Sequence, residues 1–119
     1  MRALLVENIM SQPVYDVDEE DPVELAVKKM SEAGTKKILV KSKGKPVGVL
    51  EGWKITPKDY GLKVKQIQPL GKIEVVPRGT AADEAINALK IASAVYVSER
   101  NNPNEIIGVV TAFDVQKAF

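Results

Sequence analysis

Apolar residues in the first half of the chain change from a helical to a strand spacing. Between Val23 and Met30 they recur every three or four positions, which is the pattern of one buried helix face. The runs at 36–41 and 46–51 are short and rich in Ile, Leu and Val, and the turn-forming sequence SKGK separates them. With the short apolar stretch around Val17, this half predicts a strand, a helix and a β-hairpin in that order.

The two ends of this helix carry recognisable signals. Asp21 precedes Pro22, and proline favours the first position of a helix because its missing N–H is not needed there. Asp21 is therefore predicted to cap the helix, with Glu24 as its capping-box partner. Gly34 follows the last apolar position and predicts a glycine that ends the helix in the left-handed conformation.

The second half of the chain repeats this pattern. Ala26 aligns with Ala85 at an offset of 59, and Gly48 aligns with Gly108 at an offset of 60. The corresponding helix and two strands of the second half are predicted at 80–89, 94–99 and 105–111. We therefore predict two copies of one strand-helix-strand-strand unit, each followed by a short helix start.

This recurrence sets the predicted domain organisation. Repeat 1 spans 5–56 and repeat 2 spans 64–119. The segment 57–63 between them contains Pro57 and Gly61 and is predicted to be a linker. The predicted fold class is α/β, of the α+β kind, with two pseudo-symmetric β-α-β-β(-α) repeats packed as one module.

Composition narrows the classes of function. The 119 residues carry a net charge of +1, which is not the basic excess expected of a nucleic-acid-binding protein. Cysteine and histidine are both missing from the sequence, so the commonest general base and metal ligand are missing too, and neither a metal site nor catalytic residues are predicted. No apolar run is long enough for a signal peptide or a membrane span, and we expect a cytoplasmic protein without membrane insertion.

The segment GVVTAFD, Gly108 to Asp114, places two polar groups three residues apart at a helix start. Thr111 and Asp114 have the spacing of a capping box, which is the interpretation that these residues favour when taken alone. A carboxylate can also accept both hydroxyl protons of a ribose, and the free N–H groups of a helix start favour an anion. Repeat 1 has Glu51 and Lys54 at the corresponding positions, interpreted as exposed charges, so the fold does not require the pair. We therefore favour one ligand site in repeat 2 and a lost or remodelled one in repeat 1.

The order of elements, the tandem repeat and the sequence G-apolar-apolar-T-x-x-D resemble the CBS domain, named after cystathionine β-synthase. The resemblance covers Leu5 to Phe119, with both glycines of the repeat in register. Such domains pair into Bateman modules, which implies a stand-alone regulatory, energy-sensing module that binds AMP, ADP, ATP or S-adenosylmethionine between its repeats. No covalent cofactor is implied, and an unknown partner protein would receive the signal. On this resemblance, Asp114 receives the ribose hydroxyls and Thr111 assists near the ribose and phosphate.

The resemblance also implies a base site and phosphate partners. The positions that would face the base are Val75, Val95 and Tyr96. The positions that would contact phosphates are Lys36, Lys37 and Arg78. Packing in the core is the alternative for the first set, and a solvated charge is the alternative for the second. Tyr96 replaces a proline that is common at this point of the family.

Two aromatic residues at corresponding positions of the repeats are candidates for contact with a partner chain. Trp53 and Phe113 each follow the third strand of a repeat. Helical faces in this family commonly form disc-like homodimers, and exposed aromatic residues would suit that use, so we expect a homodimer. The alternative function is a non-catalytic adaptor that dimerises or holds a partner protein without any nucleotide. Binding of adenosine compounds would separate the two.

Overall fold

The computed structural model describes residues 3–119, which form two three-stranded sheets and four α-helices. The helices are α1 (Val6–Ile9), α2 (Val23–Ala33), α3 (Ala82–Ala88) and α4 (Ala112–Ala118). The strands are β1 (Asp16–Asp18), β2 (Lys37–Ser42), β3 (Lys45–Glu51), β4 (Ile73–Pro77), β5 (Ala94–Glu99) and β6 (Asn102–Val110). Short 3-10 turns lie at Gly52–Lys54, Pro57–Asp59 and Val64–Gln66.

Both sheets have the same topology. In the first sheet β1 runs parallel to β2, with α2 as the crossover between them, and β2 and β3 form an antiparallel hairpin. In the second sheet β4, α3, β5 and β6 repeat this arrangement. Each third strand leads into a short helix, the turn at Gly52–Lys54 in repeat 1 and α4 in repeat 2. The predicted fold class, with two β-α-β-β repeats, is confirmed.

The chain divides into two compact units whose limits differ from those of the sequence repeats. One unit contains residues 15–71, and the other contains residues 3–14 together with 72–119. The segment that precedes repeat 1's first strand therefore packs on the sheet of repeat 2, and the predicted linker packs on the sheet of repeat 1. Recurrence in the sequence locates the repeats, but it carries no information about which sheet a connecting segment joins.

The two connecting segments, residues 3–14 in the second unit and residues 57–71 in the first, are attached in the same way. The backbone groups of Ser11 and Val109 exchange two hydrogen bonds, of 2.8 and 3.1 Å, in the second unit. The backbone groups of Gly71 and Val49 exchange two hydrogen bonds, of 2.8 and 3.1 Å, in the first. Ser11 and Gly71 are 60 positions apart, and so are Val49 and Val109. The repeat therefore continues into the connecting segments.

Each unit has its own apolar core between its sheet and its helices. The buried residues of the first core are Val17, Val23, Ala26, Met30, Ile38, Val40, Leu50 and Val64. Those of the second core are Val6, Ile9, Ala82, Ala85, Val95, Val97 and Val110. Because side chains alternate across a strand, the residues between these positions face the other side of their sheet.

The helix ends agree with the sequence at the C-terminus and differ at the N-terminus. Gly34 ends α2 in the left-handed conformation, with φ of 67°, as predicted. The N-cap of α2 is Pro22 and not Asp21, whose carboxylate instead accepts a hydrogen bond of 2.9 Å from the Asp18 N–H. The first amide of α2, that of Val23, donates 2.8 Å to the Leu62 carbonyl. The predicted cap was wrong because a backbone carbonyl of the connecting segment takes its place.

Gly48 and Gly108 occupy equivalent environments, as the repeat predicts. Each pairs with a buried valine of the preceding strand. A Cβ at Gly48 would lie 2.8 Å from Leu70 Cβ, and one at Gly108 would lie 2.7 Å from Met10 Cγ. In both units a side chain of the connecting segment thus packs directly on the glycine backbone, and a larger residue would displace it.

Candidate functional site

At the start of α4, Asp114 makes the contact with the N-cap backbone that the capping-box spacing predicts. Thr111 is the N-cap of α4. Its N–H donates a hydrogen bond of 2.8 Å to Asp114 Oδ2, and its hydroxyl donates one of 3.0 Å to the same oxygen. One oxygen of the carboxylate is therefore occupied by groups of its own helix start.

The other oxygen of Asp114 binds a residue from the beginning of the chain. The Ser11 hydroxyl donates a hydrogen bond to Asp114 Oδ1, across 103 positions of sequence. Asp114 is only 4% exposed, and among the ion pairs formed by residues 3–119 none involves it. It is thus a buried carboxylate held by neutral donors, two of which are hydroxyl groups.

The predicted base-facing residues divide between the two faces of the second sheet. Val75 of β4 lies beside Tyr96 of β5, which lies beside Val109 of β6, so these three form one row across the sheet. The residues next to this row along each strand, Val95 among them, face the core on the opposite side of the sheet. The structure therefore brings Val75 and Tyr96 to a common face and directs Val95 to the helices.

Arg78 and Thr111 lie at opposite ends of the strands in the second sheet. Val110, the last residue of β6, pairs with Val95 near the start of β5, whereas the Arg78 N–H donates 2.8 Å to the carbonyl of Ser98 near its end. Three residues of strand separate these points, which is about 10 Å. The register therefore does not bring Arg78 to the helix start that carries Asp114.

Arg78 instead lines a polar cleft of about 550 Å³ in the same unit. The lining residues are Arg78, Glu99, Arg100, Asn101, Asn102 and Glu105. Arg78 and Glu99 form an ion pair of 3.0 Å. Nearby, the Glu7 carboxylate accepts 2.8 Å from the Gly79 N–H, and this hydrogen bond lowers the pKa of Glu7, with a smaller contribution from the two arginines. Arg78 of the cleft is therefore paired with a carboxylate, and Arg100 contributes to the positive field around Glu7.

The two predicted lysines belong to the other unit. Lys36 is exposed and precedes β2, where its carbonyl accepts 2.8 Å from the Gly52 N–H. Lys37 is half-buried and pairs with Glu51 in the register of β2 and β3.

The residues of repeat 1 that correspond to Thr111 and Asp114 are also engaged within the chain. Lys54 Nζ donates 2.7 Å to the Pro69 carbonyl and lies 3.8 Å from Glu51 Oε1. The two side chains are 21% and 12% exposed, so their interpretation as ordinary exposed charges was wrong. Positions 54 and 114 each bind the connecting segment of their unit, the first through an ammonium and the second through a carboxylate.

Ser11 is the site residue that the sequence analysis did not identify. Its contact joins distant positions, and no local pattern marks a serine that binds a helix start. Among residues 3–119, no helix is long and apolar enough to cross a membrane, and no acidic cluster could hold a metal ion.

Comparisons with known proteins agree with this architecture. Residues 6–53 match the family model of the CBS domain. No curated protein sequence matches the chain. A solved hemolysin-like protein containing CBS domain, from Oenococcus oeni PSU, is 15% identical with a TM-score of 0.80, over 97% of this chain and 89% of that one. A CBS domain-containing protein of unknown function from Kribbella flavida DSM 17836 is 19% identical with a TM-score of 0.76, over 98% of each chain.

A third solved structure contains ligands. It is the CBS domain pair of protein MJ0100 in complex with 5′-methylthioadenosine and S-adenosyl-L-methionine, which is 20% identical with a TM-score of 0.78, over 99% of this chain and 97% of that one. At such identities the likeness establishes the fold. Residues 6–53 thus match the family model of the CBS domain, and both repeats have the fold of solved CBS-domain pairs, which is consistent with a tandem CBS-domain protein.

Proposed function

We propose that this CBS-domain pair is a cytoplasmic regulatory module that binds an adenosine-containing ligand through repeat 2. Asp114 accepts the ribose hydroxyls, and Thr111 holds the carboxylate in place and lies beside the ribose. The face carrying Val75 and Tyr96 lies next to the base. The module is not a catalyst, and it passes the bound state of the ligand to a partner protein.

The buried Asp114 carboxylate is the observation that carries this proposal. It already binds two hydroxyl groups, from Thr111 and Ser11, and forms no ion pair within residues 3–119. A ribose offers two neighbouring hydroxyl groups, which is the kind of donor that this carboxylate accepts. Burial strengthens such hydrogen bonds because water does not compete for the acceptor.

The fold relative solved with 5′-methylthioadenosine and S-adenosyl-L-methionine supports the adenosine part of the proposal. AMP, ADP and ATP also carry phosphates, which require cations. Since the register separates Arg78 from Asp114, the phosphate partners that we retain in the proposal are Lys36 and Lys37. A preference for ligands without phosphates would count against both lysines.

A ligand panel tests the proposal. Isothermal titration calorimetry with AMP, ADP, ATP and S-adenosylmethionine should detect binding to the wild type. In Asp114→Asn, one side-chain oxygen can still accept the Thr111 N–H, but the second acceptor is lost. We expect this change to weaken ligand binding about ten- to a hundredfold, which corresponds to one charge-assisted hydrogen bond.

Lys54→Ala is the matched control for this experiment, because position 54 binds the connecting segment of the other unit as position 114 does in its own. It should leave the affinity of the repeat 2 site unchanged. Equal affinity of Asp114→Asn and wild type would refute the assignment of Asp114 to the ribose.

A second candidate function follows from the same hydrogen bonds. The contacts of Asp114 with Thr111 and Ser11, and that of Lys54 with Pro69, are complete without a ligand. They favour an adaptor that uses the fold only to dimerise or to hold a partner protein. Absence of binding by every compound of the panel at millimolar concentration would select this function.

We also propose a homodimer. Trp53 is 75% exposed and Phe113 is 66% exposed, and each ring has a lysine ammonium 5.4 or 5.5 Å from its centre. Large apolar side chains exposed at equivalent positions of two repeats suit contact with a second copy. Sedimentation equilibrium should give a dimer at micromolar concentration, and Trp53→Ala with Phe113→Ala should shift it toward the monomer. A wild-type monomer at high micromolar concentration would contradict the proposal.

A further inference from the structure

The Ser11 hydroxyl occupies an acceptor position on Asp114 that a ligand would need. The backbone around Ser11 is firmly placed by its two hydrogen bonds with Val109. Gln12 Nε2 adds a third hydrogen bond, 2.8 Å to the carbonyl of Ile107. The segment therefore presents the Ser11 hydroxyl to Asp114 Oδ1 whenever the site holds no ligand.

A carboxylate has room for about four hydrogen-bond donors, since each oxygen offers two lone pairs. Asp114 holds three donors already, namely the N–H and hydroxyl of Thr111 and the hydroxyl of Ser11. A ribose with two free hydroxyls would raise the number to five. One of the present donors must therefore leave when a vicinal diol binds.

The donor that can leave is Ser11. The Thr111 N–H is fixed by the backbone at the start of α4, and the Thr111 hydroxyl belongs to the same helix start. The Ser11 hydroxyl turns away by rotation about one side-chain torsion, while its backbone hydrogen bonds with Val109 remain. The exchange needs no unfolding of the segment.

We propose that Ser11 is an internal substitute for a ligand hydroxyl: it keeps the buried Asp114 carboxylate satisfied in the empty site and lowers the affinity for a vicinal diol. This inference rests on the proposed adenosine site and adds the residue that sets its affinity. A buried acceptor without a donor is costly, so the substitution also protects the folded state of the empty protein.

Ser11→Ala separates this role from a purely structural one, because it should lower the stability of the unliganded protein and raise its affinity for adenosine. The unliganded variant should melt at a lower temperature than the wild type, since Asp114 loses a donor. Its affinity for adenosine, measured by calorimetry, should nevertheless rise about ten- to a hundredfold, because the ligand no longer displaces a charge-assisted hydrogen bond. Ser11→Cys, with a weak S–H donor, should change the affinity in the same direction by less.

The donor count supplies a second, sharper test with 2′-deoxyadenosine. This compound lacks one hydroxyl, so its single donor brings the total to four and Ser11 can stay. Ser11→Ala should therefore leave the affinity for 2′-deoxyadenosine unchanged while it raises that for adenosine. Ser42→Ala is the matched control, since the Ser42 hydroxyl donates to the Glu19 carboxylate in the other unit, and it should lower stability without changing either affinity.

The outcomes distinguish this inference from the function on which it rests. Adenosine binding by the wild type with equal or weaker binding by Ser11→Ala overturns the role of Ser11 and leaves the adenosine site intact. An equal gain for both nucleosides overturns the competition for acceptor positions. Absence of adenosine binding by both proteins at millimolar concentration overturns the inference and the proposed function together.

Discussion

Replacement of Asp114 by alanine should destabilise the protein even when no ligand is present. The carboxylate caps α4 through the Thr111 N–H and also binds the Ser11 hydroxyl. Loss of a helix cap costs about 1 kcal/mol, and loss of a hydrogen bond to a charged group costs about 1.5–3 kcal/mol. Part of this loss of stability is offset, because folding of the alanine variant no longer has to desolvate a carboxylate. We expect the free energy of unfolding to fall by about 2–4 kcal/mol.

Denaturant unfolding, followed by circular dichroism, measures this change directly. For a chain of this length the expected loss lowers the melting temperature by about 8–16 °C. Lys54→Ala is the control at the equivalent position, where the lost bond joins an ammonium to a carbonyl in a partly exposed setting, so water replaces part of it and the cost should be about 0.5–1.5 kcal/mol. An unfolding free energy of Asp114→Ala within about 0.5 kcal/mol of that of the wild type would mean that these buried contacts contribute little to folding.

Two further substitutions test the packing and the electrostatics of the same unit. Gly108→Ala should cost about 1–3 kcal/mol by overpacking against Met10, whereas Gly61→Ala, with nothing within 4 Å of the new Cβ, should be close to neutral. Equal stabilities of the two variants in thermal melts would contradict the contact between Gly108 and Met10. The Gly79 N–H lowers the pKa of Glu7 below its ordinary value of 4.5, so this carboxylate stabilises the fold above that pH and the contribution is lost as pH falls through the folded-state pKa. The difference in unfolding free energy between wild type and Glu7→Gln should therefore shrink from about pH 6 to about pH 3, and a constant difference would contradict this hydrogen bond.

The features that short-range signals control were predictable from the sequence. The strand predicted at 94–99 is β5 with the same bounds, and the one at 36–41 is displaced by a single residue from β2. Gly34 ends α2 with the positive φ that only glycine adopts readily. The equivalence of Gly48 and Gly108 also held, because one repeated backbone geometry requires a small residue at both positions.

The features that depend on long-range partners were not predictable. Asp21 had the right residue type for a cap, but the first amide of α2 donates to the Leu62 carbonyl, and the Asp21 carboxylate accepts from the Asp18 N–H. Arg78 was assigned to phosphates by the family resemblance alone, and only the register of β5 and β6 shows that Arg78 and Thr111 lie at opposite ends of these strands. The contact of Ser11 with Asp114 depends on the exchange of connecting segments between the units, and that exchange leaves no mark on local spacing.

The two repeats make an equivalent contact with side chains of opposite charge, and this difference bears on ligand binding. Each must bind its connecting segment to the start of a short helix, and each does so through the side chain at position 54 or 114. Lys54 does this as a donor to the Pro69 carbonyl, and an ammonium cannot accept a hydrogen bond from a ligand. Asp114 does it as an acceptor from Ser11, so its partner can be exchanged for another hydroxyl. The fold therefore tolerates both residues, and of these two positions only 114 carries an acceptor for a hydroxyl proton, which is what the proposed ribose contact requires.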